Sequence, residues 1–199
     1  NTASGARALY NNTNGHWNTA TGHVALHSNT TGFKNTASGY RALQGNTTGS
    51  YNTASGYDAL RGNATGSYNV AVGSNALDSN VAGNGHIAVG WLALESNNKW
   101  NNTALGTQAL RNSTGAGNIA VGNGAGVNLT SGNDNIHIGN VGDAADSATI
   151  RIGTAGTHTK AYIAGVNVAS PSNAAAVIVD MGTGLLGTVP SSRRYKEEI

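Results

Sequence analysis

Short alternating segments recur along the chain, and each is followed by glycine. In NTASG (residues 1–5), NVAVG (69–73), HIAVG (86–90) and NIAVG (118–122), two hydroxylated or β-branched residues flank an alanine. Alternation with a period of two predicts a short strand, with the flanking pair on one face and the alanine on the other. The glycine, which has no Cβ, is expected to form the corner after each strand.

The alternating segments repeat about every 17 residues. Their glycines are spaced by 17 residues five times, by 16 twice and then by 17 and 14, and they are Gly5, Gly22, Gly39, Gly56, Gly73, Gly90, Gly106, Gly122, Gly139 and Gly153. Seven units continue with Ala-Leu, as at 42–43, and then with a turn such as the Asn-x-x-Gly at 46–49. We interpret one unit as a strand, a corner, a second short strand at Ala-Leu and a turn. Stacked units of this kind predict an all-β parallel solenoid of about ten coils, and their length is too short for helical repeats.

The composition suggests that one chain does not form the whole core. The chain contains 29 Gly, 2 Pro and no Cys, and 38% of its residues are hydrophobic, 6% aromatic and 10% charged. A coil with one Leu and several Ala buries too little apolar surface to offset the ordering of its backbone. We therefore predict a homotrimer with a shared core, in which the small strand alanines permit close approach around a threefold axis.

The pattern changes near the C-terminal end, which gives three predicted regions. Residues 1–165 form the repeat solenoid, 166–190 a connector, and 191–199 the start of a further segment. In the connector, two apolar runs at 176–180 and 185–189 flank Met-Gly-Thr-Gly at 181–184, which predicts a β-hairpin. Such a hairpin would act as a plug that covers the last open strand edge of the solenoid.

The repeats NVAVG, HIAVG, NTALG and NIAVG resemble the head repeats of trimeric autotransporter adhesins over residues 1 to about 153. A longer series of blocks is similar to bacterial and phage fibre proteins that end in an endosialidase-type intramolecular chaperone. These blocks are NTASGYRALQGNTTGSYNTASGYDAL, NIHIGN, TIRIG, KAYIAGV, LGTV and SSRRYKEEI, in that order. The resemblance implies a left-handed parallel β-roll in an intertwined homotrimer, with an extracellular location on a bacterial surface or a phage virion.

The resemblance also implies a folding partner and a processing site. In the family, the C-terminal chaperone trimerises, assists folding of the fibre and then cuts itself off before a serine that precedes a lysine by five residues. Ser191 and Lys196 match those positions, and a lysine amine with a lowered pKa is able to act as the base for a serine hydroxyl. Judged by residue chemistry alone, this stretch also fits a polar linker. Nearly all of the chaperone lies outside this chain, so we expect no enzymatic activity of it.

Aromatic residues recur at two places in the unit and are candidates for ligand contact. Trp17, Tyr51 and Tyr68 end their units, whereas Tyr40, Tyr57 and Trp91 follow the corner glycine. Stacked from coil to coil, they would form ladders that pack on sugar rings of a surface glycan. The alternative is that such ladders only stabilise the solenoid.

Other chemistry has weaker support. His16, His23 and His27 lie close together in sequence but lack further ligands at regular spacing, and the acidic stretch around Asp134, Asp143 and Asp146 lacks a complete calcium-loop pattern. The glycine-rich stretch 122–126 is not followed by a predicted helix, as a phosphate-binding loop would be. We therefore predict no metal site and no cofactor.

Charge and hydropathy limit the partners. The formal net charge is +2 and the pI about 9.0, with one short basic run at 193–196, which does not support nucleic-acid binding. No run of about 18 apolar residues and no signal peptide is recognisable. Because the chain starts at a repeat boundary without Met, we expect it to be a fragment of a longer array.

Two other functions remain as alternatives to a structural and adhesive fibre. The pairs Thr2/Ser4, Thr19/Thr21, Thr36/Ser38 and Thr53/Ser55 resemble the Thr-x-Thr ladders of ice-binding solenoids. Against that function, the same positions become Val70/Val72, Ile87/Val89 and Ile119/Val121, which would suit a face turned inward. The second alternative is the non-catalytic part of a polysaccharide-degrading tailspike, for which the scattered acidic residues offer no evident carboxylate pair.

Overall fold

A computed structural model of the chain describes residues 1–162, 177–179 and 186–188. The chain forms two compact units, Asn1–His158 and Thr159–Ile199. The first unit contains the repeats.

The first unit is a parallel β-solenoid with one strand per coil. Its ten strands pair in chain order in one sheet, which gives nine turns from β1 to β10. The register steps by 17 residues over the first six strands, then by 16, 16, 17 and 14, as the glycine spacing predicts. The strands are β1 (Thr2–Ser4), β2 (Thr19–Thr21), β3 (Thr36–Ser38), β4 (Thr53–Ser55), β5 (Val70–Val72), β6 (Ile87–Val89), β7 (Thr103–Leu105), β8 (Ile119–Val121), β9 (Ile136–Ile138) and β10 (Ile150–Ile152).

The core of the solenoid is a stack of small and branched apolar side chains inside one chain. The central alanines of β2 to β8 are fully buried, and they pack with the Ala-Leu pairs of the same coils. The predicted two-faced strand is confirmed, because the residues that flank each alanine lie on the outside. The explanation given for the alanines is wrong, however. Their small size fits packing beneath their own strand, and they do not face another chain.

The predicted second strand at Ala-Leu is not formed, and the chain turns there instead. Seven leucines of these pairs have φ between 50° and 53°, in the left-handed region. They are Leu9, Leu26, Leu43, Leu60, Leu77, Leu94 and Leu110. A strand would send the two neighbouring side chains to opposite faces, whereas both are needed in the core. The left-handed conformation turns both side chains inward. It costs roughly 1–2 kcal/mol per residue, and burial of the leucine side chain offsets this cost.

The corner glycines of the first eight units are required by conformation and by space. Their φ values lie between 122° and 141°, a region that side chains with a Cβ rarely adopt. A Cβ on Gly56, for example, would lie 2.6 Å from the carbonyl oxygen of Gly73 in the next coil. At these corners successive coils therefore approach one another too closely to leave room for a Cβ.

Two ladders of buried asparagines, which the sequence analysis missed, connect the coils. In the strand-entry ladder, the asparagine before a strand accepts a hydrogen bond at its Oδ1 from the backbone N–H of its counterpart one coil later, as Asn35 does from Asn52 at 3.0 Å. In the turn ladder, the Nδ2 of Asn46 donates to Asn29 Oδ1 at 2.7 Å and to the Gly49 carbonyl at 2.9 Å. The second bond closes the predicted Asn-x-x-Gly turn.

The second unit contains two described strands, β11 (Val177–Val179) and β12 (Leu186–Thr188). They pair antiparallel, with Val177 opposite Thr188 and Val179 opposite Leu186. This is the pairing of the hairpin predicted for this segment. Its role as a plug stays a prediction.

Candidate functional surface

The outward residues of β1 to β10 form one surface, which we call the strand face. It consists of the residue before and the residue after the central position of each strand, and every one of them is Thr, Ser, Val, Ile or Leu. In β1 to β4 the strand face carries hydroxyl groups, whereas from β5 onward it is mainly aliphatic. Val72, Ile87 and Val89 are each more than one third exposed. The expectation that these positions turn inward is therefore wrong for the single chain.

One aromatic row follows the corner glycines, at the C-terminal side of the strand face. The rings of Tyr40 and Tyr57 stack with centroids 5.1 Å apart and planes inclined by 13°, and His23 stacks on Tyr40 at 5.5 Å. Ser74 occupies the next position and interrupts the row, so Trp91 lies apart from it. The structure thus joins two of the three predicted residues and adds His23.

The other row lies two residues before each strand, and we call it the pre-strand column. Tyr51 and Tyr68 stack with centroids 4.8 Å apart and planes inclined by 8°. Trp17 belongs to the same column but is separated from Tyr51 by Lys34, whose Nζ lies 5.2 Å from the Trp17 ring centroid and 4.9 Å from that of Tyr51. The column is therefore continuous through a cation that lies between two aromatic rings.

Neighbouring aromatic residues that the sequence analysis missed extend this column sideways. Phe33 packs edge-on against Tyr51 at 5.2 Å, and His16 stacks on Phe33 at 5.3 Å. Both lie one residue before the pre-strand column, at equivalent places in successive units. These equivalent positions were the signal in the sequence from which the contact between His16 and Phe33 could have been predicted. The two rows flank the hydroxyl-bearing half of the strand face, an arrangement able to contact the apolar faces and hydroxyl groups of a sugar.

A row of ion pairs runs along another side of the coils. Arg61 lies between Asp58 and Asp78, with its Nε 2.9 Å from Asp78 Oδ1 and its Nη1 3.4 Å from Asp58 Oδ2. Burial raises the pKa of Asp78, although the charge of Arg61 opposes the increase. Each carboxylate is thus engaged with arginine, so the row serves to hold neighbouring coils together.

His86 occupies the place of asparagine in the strand-entry ladder. Its ring is fully buried, with Nε2 3.1 Å from the Lys99 carbonyl and Nδ1 3.3 Å from the backbone nitrogen of Asn102. These partners require a hydrogen on Nε2 and none on Nδ1, which is the neutral ring. Burial lowers the pKa of His86 from 6.5 to about 4.

The last turn of the solenoid contains a buried charged group. Asp146 accepts two hydrogen bonds of 2.6 Å from Arg151, and its Oδ2 lies 3.1 Å from Nε2 of the buried His137. The Arg151 guanidinium holds the pKa of Asp146 well below its usual range. His137 replaces the alanine of β9, and Gly126 stands where earlier coils have leucine. A Cβ on Gly126 would lie 3.1 Å from His137 Nδ1, so the glycine leaves room for the larger ring.

The remaining predictions concern metals, membranes and processing. Among the described residues, no cluster of three or more His, Cys, Asp or Glu side chains is placed to hold a metal ion. Within the same residues, no helix is long and apolar enough to cross a membrane. The predicted processing pair, Ser191 and Lys196, lies outside the described residues.

Comparison of the chain with protein-family models, curated proteins and solved structures found no match.

Proposed function

We propose that the chain is a structural and adhesive segment of a trimeric fibre, exposed on a bacterial surface or a phage virion. Three copies pack through their strand faces into a left-handed, intertwined β-roll, and the fibre attaches to a receptor or a surface glycan. The downstream chaperone assists assembly. The observation that carries the proposal is the aliphatic half of the strand face, which is exposed in the single chain.

This aliphatic half forms a continuous stripe. Ile87, Val89, Leu105, Ile119 and Val121 are each between 37% and 42% exposed and lie on successive parallel strands. At about 4.8 Å per strand, β5 to β10 extend for roughly 24 Å. Contiguous apolar surface of this kind is typical of a surface that another protein covers.

A second and a third copy of the same chain fit this stripe. The strand face carries no charged residue at its flanking positions, so identical faces meet without like-charge repulsion. All copies also repeat at the same strand spacing, which lets coils of neighbouring chains pack level with one another. Closed rotational symmetry then buries every copy of the stripe at one axis.

The test is the native mass of the full chain by sedimentation velocity, with and without the downstream chaperone supplied during expression. We expect a species of three times the 20.0 kDa chain mass. Val89→Asp places a charge on the strand face and is expected to yield folded monomers. Val81→Asp is the matched control, because Val81 is 50% exposed but lies in a turn away from the strand face.

A wild-type chain that is folded and monomeric under both expression conditions contradicts the trimer. A Val89→Asp variant that keeps the trimer mass contradicts the strand face as the surface through which the copies pack. Circular dichroism at neutral pH checks that both variants retain the solenoid.

Ice binding is the second candidate, and the exposure of the hydroxyl-bearing half of the strand face favours it. Thr19, Thr21, Thr36 and Ser38 project outward on paired strands, in register from coil to coil. Such an array is regular in two directions, as an ice-binding surface must be. This function requires the face to stay uncovered, so it competes with the trimer.

Thermal hysteresis and inhibition of ice recrystallisation measure this second function. If the chain binds ice, Thr36→Lys should abolish both effects, whereas Thr48→Lys, on an exposed turn, should leave them unchanged. Absence of thermal hysteresis in a monomeric wild-type chain would exclude ice binding.

A further inference from the structure

An open cleft of about 550 Å³ lies beside the strand face, next to the segments that lead into β7, β8 and β9. Its volume is within the range of about 300–1,000 Å³ that is typical of small-molecule sites. The lining residues come from three consecutive coils and are Lys99, Trp100, Asn101, Thr114, Ala116, Gly117, Ser131, Asn133 and Asp134. None of the aromatic residues of the two rows lines it.

The cleft exists because the pre-strand column changes character along the solenoid. Ahead of β2 to β5 the column is filled by Trp17, Lys34, Tyr51 and Tyr68, whereas ahead of β6 to β9 it consists of Gly85, Asn101, Gly117 and Asp134. All of these residues have φ between 54° and 70°. The backbone therefore continues unchanged while the bulky side chains are lost, and the missing volume becomes the cleft.

The two glycines also fix the polar side chains of the cleft. A Cβ on Gly117 would collide with Oδ1 of Asp134, and a Cβ on Gly85 would collide with Oδ1 of Asn101. The carboxylate and the amide thus lie flat against the backbone of the preceding coil. This placement limits their rotation before any ligand arrives, which lowers the entropy cost of binding.

One wall of the cleft is aromatic. Trp100 is 56% exposed, and Nζ of Lys99 lies 5.9 Å from its ring centroid. The backbone around it is held by the neighbouring coils, since Gly117 donates to the Trp100 carbonyl at 3.2 Å and Asn101 donates to the Asn84 carbonyl at 2.9 Å. The indole is therefore an accessible flat surface on a rigid support.

We propose that this cleft binds a neutral saccharide unit. A pyranose ring has an apolar face that packs on Trp100 and equatorial hydroxyl groups that donate to the Asp134 carboxylate. The amide of Asn101 both donates and accepts, which suits hydroxyl groups as well. Since Lys99 and Asp134 balance in charge, the cleft favours an uncharged polyhydroxylated ligand over an anion or a cation.

The inference deepens the adhesive function proposed above, on which it rests for its biological role, by naming the ligand class and the place of attachment. It does not depend on the trimer. A trimer without saccharide binding overturns this inference and leaves the fibre proposal standing. A monomer that binds saccharide through the cleft supports the inference and overturns the trimer.

The experiment screens the full chain at neutral pH on an array of neutral oligosaccharides of glucose, galactose, mannose and N-acetylglucosamine. The best oligosaccharide is then titrated by calorimetry into wild type, Trp100→Ala and Asp134→Asn. We expect each substitution to weaken binding about tenfold or more, which corresponds to about 1.4 kcal/mol. Tyr10→Ala, which removes an exposed aromatic ring that lies outside the cleft and outside both aromatic rows, should bind like the wild type. Trp17→Ala tests the aromatic rows as the competing site.

Circular dichroism and thermal unfolding confirm that the variants are folded, and Trp100→Phe, which keeps an aromatic face, should retain part of the affinity. No binding to any of these oligosaccharides at millimolar concentration overturns the proposal. It is also overturned if Trp17→Ala abolishes binding while Trp100→Ala does not, because the aromatic rows would then be the site.

Discussion

The Nδ1 of His86 accepts a hydrogen bond from the backbone N–H of Asn102 at 3.3 Å, in the position where other coils use an asparagine oxygen. The imidazole therefore substitutes for an amide in a buried ladder. Unlike an amide, it titrates, and protonation of Nδ1 would remove the acceptor on which Asn102 depends.

His86 should make the solenoid sensitive to mild acid. Its pKa is lowered from 6.5 to about 4 in the folded chain, so the unfolded chain binds the proton more tightly. Its contribution to stability is complete above pH 6.5 and is lost progressively as the pH falls towards 4. The loss amounts to about 3 kcal/mol. Urea unfolding at several pH values measures it.

His86→Asn restores the amide and should remove this part of the pH dependence. Its Oδ1 would accept from Asn102 and its Nδ2 would donate to the Lys99 carbonyl. If the variant loses as much stability between pH 6.5 and 4 as the wild type, another group causes the effect. His16→Asn, at an exposed position, is the control for removal of a histidine.

The turn ladder should be essential to stability. Asn46 is fully buried, and besides the two bonds that it donates, its Oδ1 accepts one of 2.8 Å from Asn63. Asn46→Ala leaves buried partners without hydrogen bonds and is expected to cost about 2–4 kcal/mol. Thr48→Ala, on the exposed part of the same turn, should cost less than about 0.5 kcal/mol. Equal midpoints of chemical denaturation for the two variants would contradict this prediction.

The corner glycines should differ in their tolerance of alanine. Gly56 has φ of 141° and faces the Gly73 carbonyl, so Gly56→Ala should cost on the order of 3 kcal/mol or prevent folding. Gly139 has φ of 59°, and a Cβ there would have no neighbour within 4 Å. Gly139→Ala should therefore cost only about 1 kcal/mol. Thermal unfolding measures the loss of stability in the two variants. A larger loss for Gly139→Ala than for Gly56→Ala would show that steric contact at the corner does not cause the destabilisation.

Removal of the Asp146 charge should destabilise the last turn. Asp146→Asn leaves Arg151 without its ion pair, and since Arg151 is partly exposed we expect a cost of about 2 kcal/mol at neutral pH. Because the pKa of Asp146 is lowered in the folded chain, its ionised carboxylate stabilises the fold at pH values above the usual pKa of an aspartate. This stabilisation is lost as the pH falls below that usual pKa. The variant should lack this acid-dependent loss.

Glu95→Gln is the control for Asp146→Asn. Glu95 pairs with Arg111 at 2.7 Å, but the Glu95 side chain is 26% exposed and that of Arg111 37%. Water screens such a pair, so its removal should cost less than about 1 kcal/mol. Chemical unfolding at neutral pH compares the two variants, and equal costs would show that the burial of Asp146 adds nothing.

The strand, the corner and the coil length could be predicted because each depends on a local pattern. Alternation around alanine defines the strand, and glycine follows from a backbone conformation that other residues avoid. The turn at Ala-Leu was missed, since left-handed leucine contradicts local preference and is stabilised only by tertiary burial. Two adjacent apolar residues in each of the first seven units were nevertheless a signal that both face the core.

Contacts between coils were harder to foresee. Asparagine suggests an exposed turn by composition, and its regular recurrence was the only indication of the buried ladders. To predict that glycine replaces leucine at Gly126 because of the His137 ring, one must know which side chains meet inside the coil. The cleft near Trp100 results from side chains that are missing at Gly85 and Gly117, and a search for reactive residues does not detect such an absence.

The one-strand coil also determines how the solenoid responds to mechanical force. The hydrogen bonds between coils run along the stacking direction, so tension on the two ends of an unsupported chain loads the bonds of the terminal coil first. Before it opens, each coil contributes about 4.8 Å to the length of the stack. Its 17 residues extend to roughly 55–60 Å. A single chain would thus lengthen in steps, one coil at a time, whereas side-by-side association with other copies would resist this peeling.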